Sequence, residues 1–82
     1  MNQPKRTKIF KRYADSKSKV TKFLVQHDAM EIRFSDNTAF RYTNQSAGPE
    51  NIAKMKEAAL AGKGLDAILD GGVKAKFVRK IR

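Results

Sequence analysis

At 82 residues the chain is expected to form one domain, only marginally able to bury its own core. It has no cysteine, which excludes disulfide staples and thiolate metal sites, and no run approaches the roughly 18 apolar residues of a membrane span. The net charge of +10 and isoelectric point near 10.2 point to phosphate polymers or anionic membrane faces as partners.

Where the charge sits says more than its size. Residues 1–22 hold eight Lys or Arg and one acid, residues 23–72 hold five basic and seven acidic side chains, and residues 73–82 hold five basic and no acidic ones. The body is close to neutral and the two ends carry the field. A charged surface without a dedicated partner is the bland alternative; the clustering favours a polyanion. Residues 1–12 lack the apolar stretch of a secretory signal. A mitochondrial transit peptide would also be basic, but here the charge runs on into the domain, so the expected setting is the cytoplasm.

Residues 1–19 read as a flexible basic arm, and residues 20–82 as a single domain. Lys5, Arg6, Lys8, Lys11 and Arg12 crowd the arm, and like charges at that density oppose order in the free state. A short helix formed on a partner and an extended segment lying on the sheet are both conceivable. Phe10 and Tyr13 are expected to dock the arm onto the domain; stacking on bases is the competing role.

Val20, Phe23, Leu24 and Val25 mark the first strand. A tight turn at His27 and Asp28 pairs Val25 with Met30 and Phe23 with Ile32, which leaves Leu24 on the opposite face, to be covered by the arm or the last strand. His27 is the only histidine, and a turn role outweighs a metal or catalytic one. Residues 30–42 then alternate, with Met30, Ile32, Phe34, Phe40 and Tyr42 on one face. A three-residue loop of Ser35, Asp36 and Asn37 sets Ile32 opposite Phe40, Met30 opposite Tyr42 and Glu31 opposite Arg41. A two-residue loop would mix the faces. The odd loop requires a left-handed residue, which Asn37 tolerates.

Residues 43–48 read as a polar loop. Pro49 suits a first helical turn, and the Ala-, Lys- and Glu-rich run to Ala61 suits a helix that presents Ile52, Met55 and Ala59 to the sheet, with Leu60 beside them. Gly62 ends it. Leu65, Ile68 and Leu69 mark a second short helix, stopped by Gly71 and Gly72. The Gly62-Lys63-Gly64 run lacks the spacing of a phosphate-binding loop, and Asp66 and Asp70 on the short helix argue against a DNA-reading helix-turn-helix. Residues 73–82 alternate again, with Val73, Ala75, Phe77 and Ile81 inward and lysines outward. They read as a charged edge strand, a pattern that also protects against edge-to-edge association. The fold class is therefore α+β: an antiparallel β-meander of three strands plus a C-terminal edge strand, packed against one longer and one short α-helix.

The run Leu24-Val25 leading into Glu31-Ile32-Arg33-Phe34, the turn Ser35-Asp36-Asn37, Phe40-Arg41-Tyr42, and then Ala59, Gly62 and Ile68 resemble the KTSC family. These are small domains named for the C-terminus of some lysyl-tRNA synthetases, and also found alone in bacteria. The likeness spans residues 20–72. It implies RNA binding, the activity suspected of that family. Phe40 stands where the family's Tyr-x-Tyr mark has its first Tyr, Asn37 where the family has Gly, and Leu65-Asp66 where it has an aromatic-Asn pair.

No constellation for catalysis or metal binding is spaced along the chain, and no cofactor is expected. The function expected is non-catalytic binding of nucleic acid, RNA favoured over DNA, mainly through phosphates. The candidate contacts are Lys5, Arg6, Lys8, Lys11, Arg12, Arg33, Arg41, Lys74, Lys76, Arg79, Lys80 and Arg82. Glu31 opposite Arg41 is placed to neutralise part of that set. Lysines outnumber arginines twelve to six, which suits backbone contact better than base reading. The alternatives are a protein-interaction module, phage- or mobile-element-derived, with an acidic partner, and attraction to anionic lipid through Ile9, Phe10 and Tyr13.

Overall fold

The computed structural model describes residues 10–81. Strands Lys11–Arg12 (β1), Val20–Gln26 (β2), Ala29–Phe34 (β3), Ala39–Thr43 (β4) and Arg79–Lys80 (β5) form one sheet in the order β1-β2-β3-β4-β5, each antiparallel to its neighbours. Helices Asn44–Ala47 (α1), Pro49–Ala61 (α2) and Leu65–Ile68 (α3) follow β4, and α3 runs into a π-helical turn, Leu69–Val73. This is the expected α+β architecture, with a further strand on the N-terminal edge.

The central hairpin has the register that its alternation demands: Met30 pairs with Tyr42, Glu31 with Arg41 and Ile32 with Phe40. The loop closes where Phe34 N–H donates to the Thr38 carbonyl at 2.8 Å, and Asn37 takes φ 73°. Asp36 Oδ1 fastens the turn by accepting from the backbone N–H and the hydroxyl of Thr38, at 3.0 and 2.6 Å. The β2–β3 hairpin pairs Val25 with Met30 and Phe23 with Ile32, and has a bulge between Val20 and Lys22.

The helices cover one face of the sheet. Val20, Phe23, Met30, Ile32, Phe34 and Tyr42 from the strands meet Ile52, Met55, Ala59, Leu65 and Leu69 from the helices in a single buried cluster. Each large aliphatic side chain fully removed from water there contributes roughly 1.5–3 kcal/mol. α2 begins at Pro49 and ends at Gly62, whose φ of 79° lets its N–H reach the Ala58 and Ala59 carbonyls. Among the described residues no helix is long and apolar enough to cross a membrane.

Three expectations need correction. The described part of the arm is not free. β1 pairs with β2, Tyr13 is 4% exposed, and its hydroxyl accepts the Leu65 N–H at 3.1 Å, ahead of α3. Ser18 donates to Asp66 at 2.8 Å, and a Cβ on Gly62 would lie 2.8 Å from that of Ala14. Residues 10–19 are thus fastened at several points to α3 and the end of α2. The polar loop after β4 contains α1, because Thr43 and Ser46 form a reciprocal cap: Ser46 N–H donates to Thr43 Oγ1 and Thr43 N–H to Ser46 Oγ, both at 3.0 Å. The last strand is shorter than residues 73–82. Gly72 at φ 115° helps to turn Val73 into the core, and Phe77 packs on Phe40 with ring centroids 4.5 Å apart, so only Arg79–Lys80 pair with β4.

Candidate nucleic-acid interface

Side chains alternate across a sheet, so the register sorts the cations. On the face away from the helices, Arg12, Lys22 and Arg33 lie directly opposite one another across β1, β2 and β3. In the adjacent row Leu24, Glu31, Arg41 and Arg79 follow one another across β2, β3, β4 and β5. Together Arg12, Lys22, Arg33, Arg41 and Arg79 place one cation on each strand, over a width of about 19 Å at the usual strand spacing. Three of the direct cross-strand neighbours are like-charged: Arg12 with Lys22, Lys22 with Arg33, and Arg41 with Arg79. Such pairs destabilise a sheet by up to about 1 kcal/mol each.

One carboxylate interrupts the band. Glu31 is 1% exposed and pairs with Arg41 Nη1 at 2.9 Å. The same nitrogen donates to Gln26 Oε1 at 2.6 Å. Arg41 therefore spends Nη1 on its neighbours, as the sequence anticipates, and its side chain remains about a quarter exposed, at 24%. Arg33 lies over Phe10, with 5.4 Å from the guanidinium carbon to the ring centroid, and its Nε is buried without a partner. The β1–β2 register, continued by one residue, sets Phe10 beside Leu24. The arm, not the last strand, thus flanks that stray leucine.

The twelve expected contacts do not form one surface. Arg12, Arg33, Arg41 and Arg79 share the helix-free face. Lys11 and Lys80 lie on the helix side, opposite Phe23 and Phe40 at the two sheet edges. Lys74 and Lys76 are exposed on the segment before β5, with the Lys74 ammonium over the Phe34 ring at 5.1 Å. Lys5, Arg6, Lys8 and Arg82 lie outside the described residues. Lys22 belongs to the band although the sequence reading passed over it. Its signal was present, since Lys22, Leu24 and Gln26 alternate against Phe23 and Val25.

The chain matches no protein-family model, no curated protein and no solved structure.

The site's chemistry therefore rests on its own geometry. The band combines guanidinium forks and an ammonium on a rigid sheet, which suits phosphate oxygens. Two groups have shifted titrations, one in the core and one in the hairpin turn. Burial pushes the Tyr42 phenol up to about 12, and its hydroxyl donates to the Lys74 carbonyl at 2.8 Å. The hydrogen bonds from Thr38 hold the Asp36 carboxyl below its usual value.

Proposed function

We propose that this chain is a non-catalytic cytoplasmic domain that binds nucleic acid, RNA in preference to DNA, mainly by phosphate contacts on the helix-free face of its sheet. The supporting observation is the row of like charges set directly opposite one another there. Arg33 over Phe10 and Arg41 on Glu31 also serve the fold, but Arg12, Lys22 and Arg79 are exposed, and each like-charged pair costs free energy that a polyanion would return. The helix-free sheet face, with Phe10 beside Arg33 at its edge, also fits single-stranded RNA, whose unpaired bases lie on aromatic-bearing surfaces. Kinship with the KTSC domains is part of the same proposal.

The test is a titration of the full chain with short single-stranded RNA and DNA across salt concentrations. If about five phosphates are neutralised, log K falls against log salt with a slope near −3.5. Replacing Arg12, Lys22 and Arg79 together by Gln lowers that slope by about 2. A flat salt dependence in the parent chain overturns the reading. A slope that survives the triple replacement moves the contact to the other basic residues.

A second reading has an observation of its own. Phe77, Val78 and Ile81 are 37%, 53% and 37% exposed beside Lys74, Lys76, Arg79 and Lys80, a mixed apolar and basic strip that suits an acidic protein partner. Binding of that kind saturates at fixed stoichiometry and survives excess RNA.

A further inference from the structure

At the loop end of the central hairpin, a cleft of about 170 Å³ opens between the 35–37 turn and the segment that follows the π-helical turn. Phe34, Asp36, Thr38, Phe40, Lys19 and Lys74 line it. Phe34 and Phe40 meet edge to face, with centroids 5.8 Å apart. The Lys74 ammonium stands over the Phe34 ring at 5.1 Å. Phe34 itself is 6% exposed, so the accessible ring of the cleft is the partly exposed Phe40, which also packs on Phe77. Asp36 uses Oδ1 for both of its bonds from Thr38. The Asp36 side chain is exposed, so its carboxylate can accept further donors.

The combination narrows the ligand. A simple anion would meet the Asp36 carboxylate, and a lipid chain would meet three charges in a small space. The volume is below the roughly 300–1,000 Å³ of whole-molecule pockets, so the cleft takes one ring system. A nucleotide within a strand satisfies every wall: a flat base for Phe40, N–H donors for Asp36, and phosphates on either side for Lys19 and Lys74.

We propose that this cleft receives one unpaired base of a bound RNA strand, resting on the partly exposed Phe40 and donating an exocyclic amino group to Asp36, with its flanking phosphates on Lys19 and Lys74. The inference rests on the RNA-binding reading above and adds a base preference to it. The cleft walls Phe34 and Phe40 belong to the helix-covered side, so the strand held by the helix-free band passes around the loop end of the hairpin, where the cleft reads one position. Adenine, cytosine and guanine carry the required amino group, and uracil does not.

The experiment uses the full chain and short oligouridines with one central position changed to adenine, cytosine, guanine or 2-aminopurine. The amino-bearing bases are expected to bind about tenfold more tightly than all-uridine, in the range of a single good base contact. The 2-aminopurine fluorescence is expected to fall on binding as that ring stacks. Asp36→Asn keeps an oxygen for Thr38 but presents an amide N–H₂ to the base, so the preference collapses to less than about twofold. Lys74→Gln weakens all four oligomers by a few-fold and leaves their ranking intact. Circular dichroism of both variants confirms that the fold is retained. Oligomers that bind with equal affinity whatever the central base, or with no quenching, overturn the cleft and leave the phosphate-binding face standing. Absence of binding by every oligomer overturns both.

Discussion

The two faces of the sheet are made by the same strands and the same backbone hydrogen bonds, and differ only in which alternate side chains they present. The helix-covered face holds Phe23, Met30, Ile32, Phe34 and Tyr42 and supplies the packing. The bare face holds Arg12, Lys22, Arg33, Arg41 and Arg79 around one buried carboxylate. Stability and charge are thereby separated by a single residue step along each strand. A change on one face is expected to leave the property of the other largely alone, and this separation can be tested from both sides.

The largest effect is expected in the core. Ile32→Ala removes a fully buried side chain from the cluster and should cost about 2–5 kcal/mol, read as a lower urea midpoint. Any protein that remains folded should keep its salt-dependent binding slope. Equal loss of slope would show that the faces are not independent.

Next comes alkaline pH. Tyr42 titrates near 12 when folded and near 10 when unfolded, so the native state holds that proton more tightly. Its contribution is fully present below pH 10 and is lost as the pH rises towards 12, roughly 2–3 kcal/mol in all. Tyr42→Phe should remove this share of the alkaline decline, together with the late tyrosinate absorbance. A decline unchanged in the variant would assign it to other groups.

Gly62→Ala probes whether residues 10–19 belong with the covered face. Gly62 is left-handed, and the added methyl would press on Ala14. A loss of about 1–3 kcal/mol is expected. A second-site Ala14→Gly change should recover part of it if the contact with Ala14 matters. The smallest effect is expected on the bare face. Lys22→Gln relieves two opposed cation pairs and should change stability by no more than about 1 kcal/mol, in the stabilising direction, while lowering the salt slope by about 0.7. Clear destabilisation would mean that Lys22 has a packing role.

The parts that could be read from the chain are those whose causes lie close together in it. The alternation of residues 30–42 and the odd loop at Asn37 leave one register that keeps both faces clean, and that register is present. The Pro49 start, the Gly62 stop and the Ile52, Met55, Ala59 stripe likewise define α2 from within. The local composition of β1 is that of a free cationic arm and leaves an extended segment on the sheet as only one of two readings; what places it is Tyr13 reaching Leu65, 52 positions away. The short β5 was misread because the alternation of residues 73–81 is genuine, yet Gly72 and the π-helical turn carry Val73 into the core.

The candidate site divides in the same way. Arg33 and Arg41 could be assigned to the wet face from their own hairpin, and the Glu31 pairing with Arg41 followed from the same register. Lys22 and Arg79 join them only through pairings with neighbouring strands, and Lys11 and Lys80 leave them by the same rule. Sequence alone determined the elements, the apolar stripe and the total charge, since periodicity and composition are local or additive. Tertiary structure decided which cations share a face, because that depends on strand order and on registers set between segments far apart along the backbone.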